Sequence, residues 1–346
     1  MRYKLLGPTG LRVSEVCLGT MTFGPDWGWG ADRDVSKAMF DAFAEAGGNF
    51  IDTANRYTNG TSETYVGEFT KADRGHFVVS TKYTLTRDGS DPNAGGNHRK
   101  SLVESLDASL RRLGTDYIDV YWVHIWDPLT PIEETMRALD DQIRAGKILY
   151  LGISDAPAWV VARANAVAEA RGWTPFAALQ SQYSLAERNA ERELLPISRN
   201  LDIAFTAWGA LATGLLTGKY NDDPTGGGGR IHAANWGTLE ERKLAIAREV
   251  VTVAKEIGCS PSQVALRWVS QQSPTMIPLI GCRKLSQLVD NVGAVDITLD
   301  AEHVERLDQV SAIELGFPYD FIKGGRRSWL GDVVDQVDDH RNTVVC

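Results

Sequence analysis

The feature that most constrains this chain is a repeated alternation in which a short apolar run with strand character is followed by a helical pattern. It recurs eight times. The strand-like runs fall at 16–21, 49–53, 77–83, 117–124, 148–154, 177–183, 202–208 and 276–281. The intervening helices carry clear start and stop signals. Asp32 precedes a face of Val35, Met39 and Phe43 that stops at Gly47-Gly48, and Leu102, Leu106, Leu110 and Leu113 line a second face before Gly114. Thr130-Pro131-Ile132-Glu133 has the form of a capping box with proline at the first helical position, and it opens a face of Ile132, Met136, Leu139 and Ile143. Ser260-Pro261-Ser262-Gln263 repeats that device. Strands alternating with helices imply right-handed crossovers and a parallel sheet. Eight such units predict an α/β fold, a single (β/α)8 TIM barrel spanning 1–346, with an open doubly wound sheet as the alternative. Against the open sheet, no dinucleotide-binding GxGxxG follows the first strand, because Gly28-Trp29-Gly30-Ala31-Asp32-Arg33 lacks the last glycine. A hairpin at 5–13 is placed to plug one barrel end, the glycine-rich stretch 221–230 reads as a mobile loop, and a tail at 312–346 either crosses the barrel mouth or is partly disordered.

Composition narrows the partners. With 43% hydrophobic residues the chain can fill a core, and a net charge of -9 argues against nucleic acid, whose phosphates need clustered Lys and Arg. No apolar run approaches the roughly 18 residues of a membrane span, and the N-terminus has no signal-peptide pattern. Cys17, Cys259, Cys282 and Cys346 are scattered without a CxxC pair, which suits a reducing, cytoplasmic setting and supplies no metal site. No feature specifies an oligomeric state.

Barrel enzymes carry their reactive groups at the C-terminal ends of the strands. Here those ends offer Asp52 with Tyr57 just beyond it, Lys82, and His124, an acid, a phenol, an ammonium and an imidazole from adjacent strands. Hydride reduction of a carbonyl builds negative charge on oxygen, so a positioned proton donor with a pKa near the working pH is most useful. Free tyrosine titrates near 10, roughly three units too high. An ammonium about 4 Å away, at an effective dielectric of about 20, is worth on the order of 4 kcal/mol, or about three units. Lys82 is expected to lower Tyr57 by that route, with Asp52 keeping the buried ammonium charged and His124 orienting the substrate oxygen.

The chain resembles an aldo-keto reductase along nearly its whole length. The resemblance rests on Gly47-Gly48-Asn49-Phe50-Ile51-Asp52-Thr53-Ala54 with Tyr57, Ser62-Glu63, Ser80-Thr81-Lys82, Val123-His124, Gly152-Ile153-Ser154, the stretch 180–188, Gly214-Leu215-Leu216-Thr217-Gly218, and 280–291. It implies an NADP(H)-binding barrel with Tyr57 as general acid, Asp52 and Lys82 tuning it, and His124 orienting the substrate. It also implies cofactor contacts from Gly19, Thr20 and Met21 near the nicotinamide ribose, and from Ser154, Asp155 and Gln180 to the carboxamide. Trp208 would stack on the nicotinamide, Gly209, Leu211 and Gly214 would face the pyrophosphate, and Gly281, Arg283, Lys284, Gln287 and Asn291 would take the adenosine 2'-phosphate end. Asp155 stands where the family commonly has asparagine. With Trp126 and the run Tyr150-Leu151-Gly152-Ile153-Ser154-Asp155-Ala156-Pro157-Ala158-Trp159, it resembles the aryl-alcohol dehydrogenase branch, implying aromatic or bulky aldehydes, ketones or alcohols. Trp126, Trp27 and Trp29 are candidates to wall such a pocket.

Two readings compete. Gly152-Ile153-Ser154-Asp155-Ala156 is one glycine short of a serine-hydrolase elbow, and none of His232, His303 and His340 has a strand-end setting to serve Ser154. A non-catalytic, NADP(H)-sensing subunit on the same barrel is the other. A P-loop is excluded because Gly214-Leu215-Leu216-Thr217-Gly218-Lys219 has one residue too few between its glycines.

Overall fold

A computed structural model describes residues 1–221 and 239–338. Eight parallel strands close into a barrel: β3 (Cys17–Gly19), β4 (Phe50–Asp52), β5 (Val78–Tyr83), β6 (Ile118–Val123), β7 (Ile148–Ser154), β8 (Phe176–Gln182), β9 (Ala204–Trp208) and β10 (Met276–Gly281), the last pairing back onto β3. The expected strand order and count hold: β7 and β10 match their runs, β8 is shifted by one residue to 176–182, and the others are trimmed at one or both ends by one to two residues. Helices α1 (Arg33–Glu45), α2 (Thr61–Thr70), α3 (Arg99–Leu113), α4 (Ile132–Arg144), α5 (Ala158–Arg171) and α6 (Leu194–Asn200) link successive strands through β9, and further helices at Glu241–Ile257 and Pro261–Gln271 precede β10. Among the described residues no helix is long and apolar enough to cross a membrane.

The alternation of side chains along each strand sorts the apolar residues into two clusters. One fills the barrel: Cys17, Phe50, Val78, Val120, Trp122, Ala178, Ala204 and Ile277. The other, containing Leu18, Ile51, Val79, Tyr121, Val123, Leu179 and Phe205, packs outward against the helices. The N-terminal hairpin, β1 (Tyr3–Leu5) with β2 (Arg12–Ser14), adds Leu6 and Val13 to the inner cluster. Its turn reaches the N-terminal ends of β8 and β9: a Cβ on Gly7, whose φ is +55°, would lie 2.4 Å from the Ala177 carbonyl oxygen and 2.8 Å from the Ala204 nitrogen. The hairpin is therefore the expected plug. Gly7→Ala combines a left-handed backbone with a clash against main chain, and is expected to cost about 2 kcal/mol or more, read as a lower thermal midpoint.

Some local expectations fail for identifiable reasons. Ser260 and Gln263 form the reciprocal capping box. Thr130 does not, because its hydroxyl donates to Asp127 Oδ2 at 2.6 Å and Pro131 becomes the N-cap of α4. In α1, Asp32 caps Val35 N as expected, yet Val35 is exposed and the buried face is Ser36, Met39, Phe40 and Phe43. Most of the glycine-rich stretch, 222–230, lies outside the described residues, as do His232, His340 and Cys346. The described part of the tail docks beside the barrel rim: Arg192 donates to the carbonyls of Glu314 and Leu315, and Tyr319 to Glu193.

Candidate active site

Because β-strand side chains alternate, the inward positions beyond the filled layer are set by the sequence. Two residues on from Phe50 is Asp52; two and four on from Val78 are Ser80 and Lys82; two on from Trp122 is His124. Gln180 and Trp208 follow from Ala178 and Ala204 in the same way. All lie at the C-terminal ends of their strands.

Tyr57 arrives from the loop after β4, on a 3-10 turn, Tyr57–Gly60, in which Thr58, Asn59 and Gly60 have φ of 46°, 56° and 100°. Three consecutive left-handed residues need outside support. Thr58 is buried, donates to the Phe23 carbonyl at 2.6 Å and accepts from Ser62 N at 3.0 Å. A Cβ on Gly60 would lie 2.9 Å from Arg112 Cδ, and Arg112 pairs with the buried Glu63 at 2.5 Å. Glu63 also accepts from Thr81, the neighbour of Lys82. The turn is thereby tied to the strand that carries the lysine.

The four strand-end groups meet. Lys82 Nζ, fully buried, donates to Asp52 Oδ2, to the Thr53 carbonyl at 2.9 Å and to the Tyr57 hydroxyl at 3.1 Å. Asp52 Oδ1 accepts from Ser80 at 2.8 Å and Gln180 at 3.2 Å. The His124 ring stands edge-on to Tyr57, centroids 5.8 Å apart.

Burial and charge act in opposite senses here. Burial pulls Lys82 down, but Asp52 and Tyr57 overcome it and the ammonium is held above its ordinary value. Asp52 thus does what was expected of it. The expected lowering of Tyr57 is not found. Burial raises its pKa, Lys82 lowers it, and Asp52 raises it again, with a net upward shift. An ammonium already paired with a carboxylate gives a neighbouring phenol only part of its field. His124 is driven well below its ordinary value by burial and by Lys82, so the imidazole is neutral near pH 7 and has one proton to donate.

The remaining sequence candidates are placed as follows. Gly19 and Gly281 pair across β3 and β10, while Thr20 is buried with its hydroxyl on the Asp52 carbonyl, and Met21 is half-buried behind it. Ser154 is buried opposite Gln180 in the β7–β8 register. Trp208 is half-buried, and its indole N–H donates to Asp155 Oδ1 at 3.0 Å. The loop after β9 holds Gly209, Leu211 and Gly214, with Ala212 and Thr213 left-handed at 47° and 55°. Lys219, not selected from the sequence, brings its Nζ to 3.1 Å from where a Gly214 Cβ would stand. Arg283 and Lys284 lie at the start of the helix Leu285–Val292, the first half-buried and the second exposed, and neither has an ion-pair partner among the described residues. Gln287 accepts from Arg283 N at 3.0 Å. Asn291 is buried and donates to Cys282 Sγ. Trp27 and Trp29 stack obliquely, centroids 5.6 Å apart, in the loop after β3, and Trp126 packs partly on the outer cluster.

This set fits an anionic, polar cofactor. It offers cations from two loops, a flat indole at a strand end, and the buried amide of Asn55, 5% exposed, with no partner among the described residues. It does not suit a metal ion, since no group of three or more His, Cys, Asp or Glu gathers among those residues. Among the described residues no histidine is placed to form a triad with Ser154: His303 pairs with Asp300 and Glu256 on an outer helix, and His232 and His340 lie outside those residues. Sequence reasoning missed Ser80, Thr58 and the support behind His124. There Thr84 Oγ1 accepts from His124 N at 3.3 Å and from Asn97 at 2.8 Å, and Asn97 in turn receives Asp127 N at 2.6 Å. Contacts between residues 13 to 40 positions apart leave no local sequence signal.

Comparison with known proteins agrees with the geometry. The model of the aldo/keto reductase family matches residues 15–312. Norsolorinic acid reductase of Aspergillus flavus is 38% identical over 92% of this chain and 83% of its own. An aryl-alcohol dehydrogenase of Pestalotiopsis microspora is 39% identical, covering 94% and 86% respectively. The aryl-alcohol dehydrogenase [NADP(+)] of Phanerodontia chrysosporium is 39% identical over 92% of this chain and 88% of its own. With its closed eight-stranded barrel and this extent of match, the chain belongs to the aldo/keto reductase family and is a carbonyl–alcohol oxidoreductase of the aryl-alcohol dehydrogenase-like branch.

Proposed function

We propose that residues 1–346 act as one NADP(H)-dependent oxidoreductase that interconverts aromatic or bulky aldehydes and ketones with their alcohols, using Tyr57 as general acid and base. The observation that carries this reading is the Lys82 ammonium, shared between the Asp52 carboxylate and the Tyr57 hydroxyl 3.1 Å away. A bound reduced nicotinamide supplies the hydride. Tyr57 donates the proton to the oxygen that becomes the alcohol, and Lys82 stabilises the phenolate left behind. His124, neutral, donates a hydrogen bond to the same oxygen and fixes the carbonyl's orientation. In the reverse direction the phenolate takes the alcohol proton.

NADP(H) rather than NAD(H) is supported by Arg283 and Lys284, two cations without carboxylate partners among the described residues, and by the name of the Phanerodontia relative. Aromatic or bulky substrates are supported by the branch and by Trp126, Trp27 and Trp29 near the mouth loops. Unpaired Cys17, Cys259 and Cys282 suit a cytoplasmic location. The test is a fluorescence titration with NADPH, then loss of nicotinamide absorbance with 4-nitrobenzaldehyde and with a small aliphatic aldehyde. Binding with a preference for the aryl aldehyde is expected; equal turnover of both sinks the substrate class, and no binding sinks the cofactor. In the same assay, Arg283→Ala with Lys284→Ala is expected to weaken NADPH about tenfold or more and leave NADH nearly unchanged.

A further inference from the structure

Asp155 is an ionisable group at the mouth to which the proton transfer above gives no task. It directly follows β7. Its nitrogen donates to the Gln180 carbonyl at 3.1 Å, its carbonyl accepts from Trp126 N, and its Oδ1 accepts from the Trp208 indole. Its φ is 44°, a backbone that Asp and Asn both tolerate. Asparagine would also give the indole N–H an acceptor. Neither the backbone nor the hydrogen bond therefore requires a charge. The charge has a cost as well: surrounding atoms push the Asp155 carboxyl up even though the side chain keeps contact with solvent, and the carboxylate raises Tyr57, which does nothing for a general acid. Gln180, which receives the Asp155 N–H, donates its own side chain to Asp52 Oδ1 at 3.2 Å, and Trp208 follows Ala204 on the inner face, so Asp155 stands at the same barrel mouth as Asp52 and Lys82.

A hydride donor must lie about 3–3.5 Å from the carbonyl carbon, so a nicotinamide serving a carbonyl held by Tyr57 would lie at that mouth. Its ring is neutral when reduced and carries a positive charge once a hydride, two electrons with one proton, has left for the carbonyl carbon; the second proton comes from Tyr57. Resting on the proposed NADP(H) reading, we propose that Asp155 is a specificity-determining residue for the oxidation state of the cofactor, its carboxylate, aimed by Trp208, favouring the oxidised over the reduced ring. A carboxylate about 6 Å from the ring, at an effective dielectric of about 40, gives about tenfold discrimination. By linkage this draws the bound equilibrium toward alcohol and oxidised cofactor, and it slows release of the oxidised form.

The experiment is equilibrium binding to the purified full chain, with NADPH followed by its own fluorescence and NADP+ by displacement of NADPH. Asp155→Asn is expected to weaken NADP+ about tenfold while NADPH changes less than about twofold. In the wild type, the ratio of the NADP+ Kd to the NADPH Kd is expected to rise as pH falls through the Asp155 carboxyl; in Asp155→Asn it stays flat. The 2'-phosphate titrates in both cofactor forms and cancels in the ratio. Tyr57, Lys82 with Asp52, and His124 meet at the same barrel mouth, and the flat Asn series separates their titration from that of Asp155. An unchanged ratio in the variant, or a pH-independent ratio in the wild type, overturns the proposal even if the variant folds poorly. A wild type that binds neither form overturns the NADP(H) reading itself.

Discussion

Tyr57→Phe is expected to lower kcat for carbonyl reduction by about 10²–10⁴-fold while the NADPH Kd stays within about twofold. The substitution removes one oxygen and leaves the ring, so the edge contact with His124 and the packing of the turn survive. Lost are the proton for the developing alkoxide and the hydroxyl that accepts from Lys82 at 3.1 Å. The wild-type pH profile follows from the upward shift of Tyr57. Reduction requires the phenol protonated, so its rate holds through neutral pH and falls only above the ordinary tyrosine value of 10.0. Oxidation requires the phenolate and rises over the same range. His124, lowered by burial and by Lys82, adds no limb between pH 6 and 8. Steady-state rates of both proteins across pH check this, and Tyr57→Phe activity within about threefold of wild type would remove Tyr57 from the mechanism.

Lys82→Met is expected to destabilise the fold by about 3–5 kcal/mol, since it strands the Asp52 carboxylate in the barrel with only Ser80 and Gln180 as donors. For a chain of this size that corresponds to about 4–7 °C in thermal midpoint. Lys82→Met with Asp52→Asn is expected to lose clearly less than the sum of the single changes, because the pair rather than either residue is the unit. Linkage gives the pH signature. Lys82 is raised in the folded state, so its contribution is fully present below its ordinary value of 10.5 and is lost as pH rises through the folded value. That alkaline loss should be smaller in Lys82→Met. Additive single and double variants in denaturant titrations would show that the pair is not coupled.

The alternation of eight strand runs with capped helices is a local pattern, and it determined the parallel α/β class, while closure into a barrel rather than an open sheet was decided by β10 pairing back onto β3. The strand-end rule brought Asp52, Tyr57, Lys82 and His124 to one mouth, and the observed inner layer of Phe50, Val78 and Trp122 then puts Asp52, Lys82 and His124 on the inside, because a strand has only two faces. Tertiary structure decided what those groups do to one another. The upward shift of Tyr57 depends on how deeply the phenol is buried and on Asp52 screening Lys82, quantities set by strands 25 to 30 residues apart closing to hydrogen-bond distance. The competition of Asp127 for Thr130, the inward turn of Asn291 toward Cys282 and the arrival of Lys219 at Gly214 are of the same kind. Backbone pattern is encoded within a few residues, whereas partner choice, distance and dielectric arise only when remote segments share a volume.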